Sequence, residues 1–300
     1  MSLEYIPAKS IVFGYSNGDK WFGCNYNMNI YKGCCHGCIY CDSRSECYHI
    51  DDFDRVRAKA NTIDILSKQL VGKRQKGIIG TGAMSDPYNP YEEEARLTRG
   101  ALELIDFNYF GISITTKSAL ITRDIDLLAR IRRHSPTICQ ITITSASDEL
   151  SRMIEPRVSL SSERFDAIRQ LTDAGIYAGI MMTPILPFIN DTPENIIGII
   201  EKAHQCGTRF IYPGFGVTLR TNQRDYFFEQ IDDKFPMVKS KYLKQFGNNY
   251  VCNSPNHREL RKLFTSNCKK YGILYRMADI IKAYKSEYEC DSEQLSMELI

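Results

Sequence analysis

An α/β fold on a parallel sheet is predicted by three observations. Six apolar, β-branched runs recur along the first two thirds of the chain. Amphipathic helical stretches separate them, as crossovers between parallel strands require. After Arg220 that rhythm stops, and the chain reads as helices alone.

The first run lies in Asn25–Tyr31. The others are Gly77–Thr81, Gly111–Thr116, Thr137–Thr144, Ile176–Thr183 and Arg209–Pro213. They are near-continuous, as strands covered on both faces should be. Asn89-Pro90-Tyr91-Glu92 reads as a capping box with proline at the first helical position. The apolar face Leu97, Ala101, Leu104 and Ile105 follows it. Ile125, Leu128, Ala129 and Arg132 belong to the next helix. Ser161–Ala174 turns Phe165, Ile168 and Leu171 inward and ends at Gly175. Thr192-Pro193 starts another helix, with Ile196, Ile199, Ile200 and Ala203 inward and Gly207 as its stop. A half-closed (β/α)6 barrel and a doubly wound sheet both fit this pattern. Either binds ligands at the carboxyl ends of its strands.

Beyond Arg220, helices are predicted over Asp225–Ile231, Val238–Phe246, His257–Tyr271 and Ile273–Lys285. Asn248-Asn249 and Asn253-Ser254-Pro255-Asn256 punctuate them as turns. Glu289–Ile300 is acidic and is expected to fray. Two domains follow: residues 1–220 as an α/β core with its N-terminal segment, and 221–300 as a basic, aromatic-rich helical extension.

Apolar residues make up 43 % of the 300 and charged residues 25 %, ordinary values for a globular protein with a full core. No apolar run approaches the ~20 residues of a membrane span. The N-terminus MSLEYIPAKS lacks the apolar centre of a signal peptide. Eleven cysteines without an export signal imply a reducing compartment, and the expected location is the cytoplasm.

The net charge of +2 hides an asymmetry. Lys234–Lys285 carries 12 Lys/Arg against 2 Asp/Glu, which leaves 26 Lys/Arg and 34 Asp/Glu elsewhere. Those cations interleave with Phe235, Tyr242, Phe246, Tyr250, Phe264, Tyr271, Tyr275 and Tyr284. Cations for phosphates and aromatics for bases are what single-stranded nucleic acid binding uses. Amphipathic helices covering the core, aromatics inward and lysines outward, give the same pattern.

Cys34, Cys38 and Cys41 follow the first strand with the spacing C-x3-C-x2-C. Three thiolates so placed can hold three irons of a [4Fe–4S] cluster and leave the fourth open. Electron-transfer clusters normally take four cysteines. A zinc site is the alternative, but zinc usually closes four ligands and no second C-x2-C pair occurs. On that alternative the chain is a non-enzymatic metal module that binds nucleic acid. Cys35 and Cys47 lie near the loop. Cys24, Cys139 and Cys206 read as small apolar residues, and Cys252, Cys268 and Cys290 share no ligand spacing. Walker and nucleophile-elbow motifs are absent.

The stretch Asn27–Tyr48 (NMNIYKGCCHGCIYCDSRSECY) resembles one branch of the radical S-adenosylmethionine (SAM) superfamily, the proteins similar to spore photoproduct lyase. Thr81–Pro90 (TGAMSDPYNP), Glu155-Pro156-Arg157 and Met182–Asn190 (MTPILPFIN) agree in the same order. The resemblance covers roughly residues 20–215 and implies a partial (β/α)6 barrel. It implies Cys34, Cys38 and Cys41 as ligands of a [4Fe–4S] cluster whose open iron takes SAM, with reductive cleavage to a 5′-deoxyadenosyl radical. It implies SAM contacts at Tyr40 (near cluster and adenine), Ser85 and Asp86 (amino group), Lys117 (carboxylate), Thr144 (ribose or carboxylate) and Thr183 (adenine). A reduced flavodoxin or ferredoxin is the implied electron donor, and nucleic acid the first substrate class. Glu155 and Arg157 fit a structural ion pair as well as a substrate contact, and Tyr88 and Tyr91 fit packing. One departure points to a different substrate: Ala83 stands where the lyase pattern has the cysteine that returns a hydrogen atom.

Overall fold

The structure, a computed structural model, describes residues 3–15 and 21–297, with side chains as far as residue 288. Its strands are β1 (Glu4–Ile6), β2 (Val12–Gly14), β3 (Tyr26–Met28), β4 (Tyr31–Lys32), β5 (Arg57–Lys59), β6 (Ile78–Thr81), β7 (Gly111–Thr116), β8 (Thr137–Thr142), β9 (Tyr177–Met182), β10 (Ile211–Pro213), β11 (Gly216–Thr218) and β12 (Val251–Asn253). The helices are α1 (Thr62–Val71), α2 (Glu92–Ala95), α3 (Leu97–Phe107), α4 (Ile125–Arg132), α5 (Asp148–Ile154), α6 (Ser161–Asp173), α7 (Pro193–Gln205), α8 (Gln223–Lys234), α9 (Val238–Phe246), α10 (His257–Lys270) and α11 (Met277–Met297).

The main sheet runs β10-β9-β8-β7-β6-β3-β2. All six expected strands are in it, parallel to one another, and β2 adds an antiparallel edge. Its edges β2 and β10 do not pair, so the barrel stays open on one side.

The strands alternate more than their composition suggests. Ile79, Ile112, Ile114, Cys139, Ile141, Ile180 and Met182 face the helices in the main core. Between them Gly80, Ser113, Thr115 and Thr142 face the interior of the barrel. Period two puts one face of each strand in an apolar layer and leaves the other small and polar.

Several helix ends behave as expected. Thr192 Oγ1 accepts from the Asn195 amide at the start of α7, with Pro193 at the first helical position. Gly175 and Gly207 take φ of +79° and +69° beyond α6 and α7, where a Cβ would strain the turn. The expected capping box at Asn89–Glu92 does not form. The short α2 begins at Glu92, and Arg96 in a left-handed conformation separates it from α3. Glu92, fully buried, instead accepts from the Thr98 amide and from Arg123.

The first expected strand splits into β3 and β4, and β4 leaves the main sheet for a small one with β1 and β5. β11 and β12 pair antiparallel across residue 220, where only turns and helices were expected. α8 and α9 share a core with Cys38, Ile39 and Tyr40. Leu260, Phe264 and Cys268 of α10 enter the main core. α11 starts at Met277 rather than Ile273 and closes the floor of the barrel, where Tyr284 Oη donates to the Phe22 carbonyl at 2.5 Å. The backbone stays helical through Met297 across most of the stretch expected to fray, while side chains from 289 on, Cys290 among them, lie outside the described residues.

Candidate functional site

The cysteine loop is tied to the barrel through its backbone. The Cys34 amide donates to the Phe53 carbonyl at 2.8 Å, and the Ile39 amide to the Ile154 carbonyl at 3.0 Å. The Arg157 amide donates to the His36 carbonyl at 3.1 Å, and Gln223 Nε2 to the Tyr40 carbonyl at 3.0 Å. Gly33, at φ +81°, has the carbonyl oxygens of Arg55 and Phe53 2.5 and 2.7 Å from where a Cβ would stand, so only glycine fits. Residues from three other parts of the chain thus hold one short loop.

Cys38 is buried, while Cys34 and Cys41 are half-buried. Each acts electrostatically on its neighbours in the loop. Among the described residues no three Cys, His, Asp or Glu side chains converge as the ligands of a single ion do. A cluster takes one protein sulfur per iron, so three thiols on one short loop suit it. The donor set fits that group.

Burial pushes the Cys38 and Cys41 thiols up. Burial would also raise Cys34, but its hydrogen bond to His36 and the charge of that imidazole bring it below the usual value. His36 is drawn down by burial, and the Asp86 carboxylate 3.5 Å away, with Cys34, outweighs this and holds it up.

Next to the loop a cavity of about 620 Å³ occupies the barrel interior. Tyr40, Cys41, Lys117 and Thr183 line it, as does Ala83. Burial pulls the Lys117 ammonium down, but Cys38, Glu155, Asp86 and Cys41 together raise it above its usual value. A half-buried cation facing a cavity is suited to a carboxylate ligand.

Ser85, Asp86 and Thr144 do not line this cavity. Ser85 Oγ donates to the Gly33 carbonyl at 2.5 Å. Asp86 accepts from Thr116 Oγ1 at 2.6 Å, the Lys117 amide at 2.8 Å and the Tyr88 amide at 2.9 Å. Both therefore brace the cysteine loop from the ends of β6 and β7. Thr144 is fully buried, and its carbonyl accepts from Asn190 and Asn195.

Glu155 pairs with Arg164 rather than Arg157. Arg164 Nη2 lies 2.6 Å from the Glu155 carboxylate, and both side chains are wholly buried. Arg164 also donates to the Thr142 carbonyl and to Ser151 Oγ, each at 2.6 Å. The Tyr40 hydroxyl donates to the other Glu155 oxygen. Arg157 Nη1 reaches the Cys35 carbonyl at 3.3 Å. Tyr88 is buried against Asp124, its hydroxyl 3.1 Å from the carboxylate.

Sequence reasoning missed the barrel-facing set Asn27, Ser113, Thr115 and Thr142, together with Trp21 and Cys24 at the cavity's edge. Small polar residues at alternate positions of GISITT, and the polar Gln140 and Thr142 of TICQIT, were the available signal. Burial pushes the Cys24 thiol up, against a hydrogen bond to Ser113.

Comparison with known proteins places this geometry in a family. The family model of the radical SAM superfamily matches residues 28–203. An uncharacterised protein of Methanocaldococcus jannaschii is 35 % identical over 229 residues, covering 75 % of this chain and 83 % of that one. An uncharacterised protein of Acidianus two-tailed virus is 27 % identical over 264 residues, 82 % and 80 % of the two chains. Among solved structures, spore photoproduct lyase complexed with dinucleoside spore photoproduct superposes with a TM-score of 0.61 at 16 % identity, over 83 % of this chain and 74 % of that one. The radical SAM methyltransferase TsrM from Kitasatospora setae gives 0.56 at 11 % identity, over 90 % and 62 %. These two likenesses are of fold, whereas the family model spans more than half the sequence. The chain belongs to the radical SAM superfamily and is an enzyme of that class.

Proposed function

We propose that Cys34, Cys38 and Cys41 hold a [4Fe–4S] cluster with one open iron, and that SAM occupies the adjoining end of the 620 Å³ cavity. When bound, that pair supplies reductive cleavage of SAM and so a 5′-deoxyadenosyl radical. The reading is supported by one observation above all: the cysteine loop opens onto the cavity that Tyr40, Lys117 and Thr183 also line.

Lys117 sets its ammonium towards the SAM carboxylate. Tyr40, fixed by Glu155, presents its ring near the adenine, and Thr183 offers backbone groups beside it. Ser85, Asp86 and Thr144 serve this site from behind, by holding the loop and the strand ends in place. The closed floor under α11 shields a reactive species from water on that side.

Residues 1–220 form the catalytic core, and 221–300 a basic extension that completes its walls. The substrate class is nucleic acid, supported by the cations of the extension and by the dinucleoside ligand of spore photoproduct lyase. Ala83 at the cavity wall leaves the lyase's hydrogen donor without a counterpart, which favours a different reaction. A reduced flavodoxin or ferredoxin supplies the electron, and a reducing cytoplasm suits the eleven cysteines.

Anaerobic reconstitution with iron and sulfide, then dithionite and SAM, tests the reading. It expects 5′-deoxyadenosine from the wild type and none from Cys38→Ala. About one zinc per chain with no iron–sulfur absorbance overturns it.

A further inference from the structure

A second cavity, of about 530 Å³, lies beyond β10 against α10 and the start of α11. Arg261, Thr265 and Lys269 line it from α10, and Arg276 closes its far side. The three α10 residues are spaced i, i+4, i+8 and so share one stripe of the helix. The neighbouring stripe, Leu260, Phe264 and Cys268, is buried, so the cations stand on a fixed support. Tyr212 and Tyr275 complete the walls, and no carboxylate among the described residues lines the cavity.

These cations differ from the arginines that pair with carboxylates elsewhere among the described residues. Arg99, Arg123, Arg130, Arg132, Arg164 and Arg169 each meet a carboxylate. Arg261, Lys269 and Arg276 make no ion pair with any described residue; the Arg276 guanidinium lies 6.0 Å from the centre of the Tyr275 ring. Three like charges gathered in a concave site without counter-charge create a field that an anion relieves.

The second cavity adjoins the first across a single layer of side chains. Tyr212 of the second packs edge-on against Trp21 of the first, ring centres 5.2 Å apart. Phe264 of the second meets Phe215 of the first at 5.8 Å. Trp21 and Tyr15, both exposed, stand at the edge of the first cavity, where a planar group would stack. This junction lies on the open side of the barrel, beside the edge strand β10.

The geometry points to the second cavity as a phosphate-ester subsite, which anchors the backbone of a ligand whose base enters the barrel past Trp21. The assignment rests on the nucleic-acid reading given above and locates it on particular residues. Arg261 and Arg276 bind phosphate oxygens through their guanidinium forks, Lys269 as a point charge.

The test uses the reconstituted full chain and a fluorescein-labelled oligo(dT) strand, with binding followed by anisotropy across a salt titration. The variant is R261Q/K269Q/R276Q. A control, K239Q/K241Q/K244Q, removes the same charge from α9. Three lost phosphate contacts should weaken binding about tenfold and reduce the slope of log K against log salt by about 2. The α9 control should lose far less. Thymidine monophosphate competing as well as the strand gives the same phosphate chemistry to a free nucleotide; failure to compete gives it to a strand. Equal losses in both triple variants, or no strand binding by the wild type, overturn the proposal. Substrate-free 5′-deoxyadenosine formation is read in parallel, and none of the three residues lines the SAM cavity. Its persistence when binding fails isolates the fault in the phosphate subsite, while its absence from every protein faults the cluster reading instead.

Discussion

Arg164→Met tests the buried network that holds Tyr40. Arg164 and Glu155 are each 0 % exposed, and their 2.6 Å contact is backed by donation to Thr142 and Ser151. Methionine conserves length and apolar bulk but leaves the Glu155 carboxylate with the Tyr40 hydroxyl as its remaining side-chain hydrogen-bond partner. Breaking one side of a buried pair costs about 3–5 kcal/mol, because the surviving charge stays desolvated. Urea unfolding of wild type, R164M and R164M/E155Q measures it through the midpoint at constant slope. R164M should lose about 3–5 kcal/mol, and the double variant should regain more than half, since it removes the stranded charge. A loss below about 1 kcal/mol would refute the reasoning, because that is the scale of a solvated pair. Tyr40 adds a second readout. With Glu155 no longer anchored by Arg164, the Tyr40 ring should lose its fixed place at the cavity wall. SAM affinity should then fall in R164M protein that still reconstitutes a cluster.

Lys117→Met should weaken SAM binding about tenfold to a hundredfold, the ~1.5–3 kcal/mol of a charge-assisted contact; equilibrium dialysis on reconstituted protein reads it, and unchanged affinity takes Lys117 off the SAM carboxylate. Gly82→Ala should cost more than about 1 kcal/mol in urea unfolding, because Gly82 sits at φ +98° with the Thr115 carbonyl filling the space of a Cβ; a wild-type midpoint would contradict this. Asp191 is held above the usual carboxylate value by burial, against donation from Ser254 and the Phe188 amide. A group raised in the fold contributes stability below its unfolded value, here 3.8, and that contribution disappears as pH climbs through the folded value. Wild type should therefore lose stability relative to Asp191→Asn as pH rises above 3.8, and parallel stability curves for the two proteins would rule the assignment out.

Much of the architecture was legible because its causes are local. Six parallel strands follow from β-branched runs that find their sheet partners wherever the crossovers carry them, and all six occupy one sheet. Val238–Phe246 forms the helix that its own pattern predicted. The cysteine loop was legible for the same reason: three thiols within eight residues need no distant information to be read together. The strands β1, β2, β5, β11 and β12 escaped because each is three residues long and lies outside the strand–helix rhythm that marked the equally short β3 and β10. They exist only through their pairing with distant segments.

Partnership between side chains is what the tertiary structure decided. Glu155 has an arginine two residues away, yet it pairs with Arg164, because α6 packs its fully buried face against β8 and carries that guanidinium under Tyr40. Asp86 looks open to a ligand in TGAMSDPYNP, yet the ends of β7 and the cysteine loop converge on it with donors. The stripe Arg261–Thr265–Lys269 is visible in the sequence as charge alone. Its place beside the open edge of the barrel depends on Leu260 and Phe264 seeking the main core. A sequence records which groups a chain owns and how they repeat along a strand or helix. Burial of apolar surface then sets which of them meet, and in this molecule that step packs the loop and the helices of the basic extension against the barrel around its cavity.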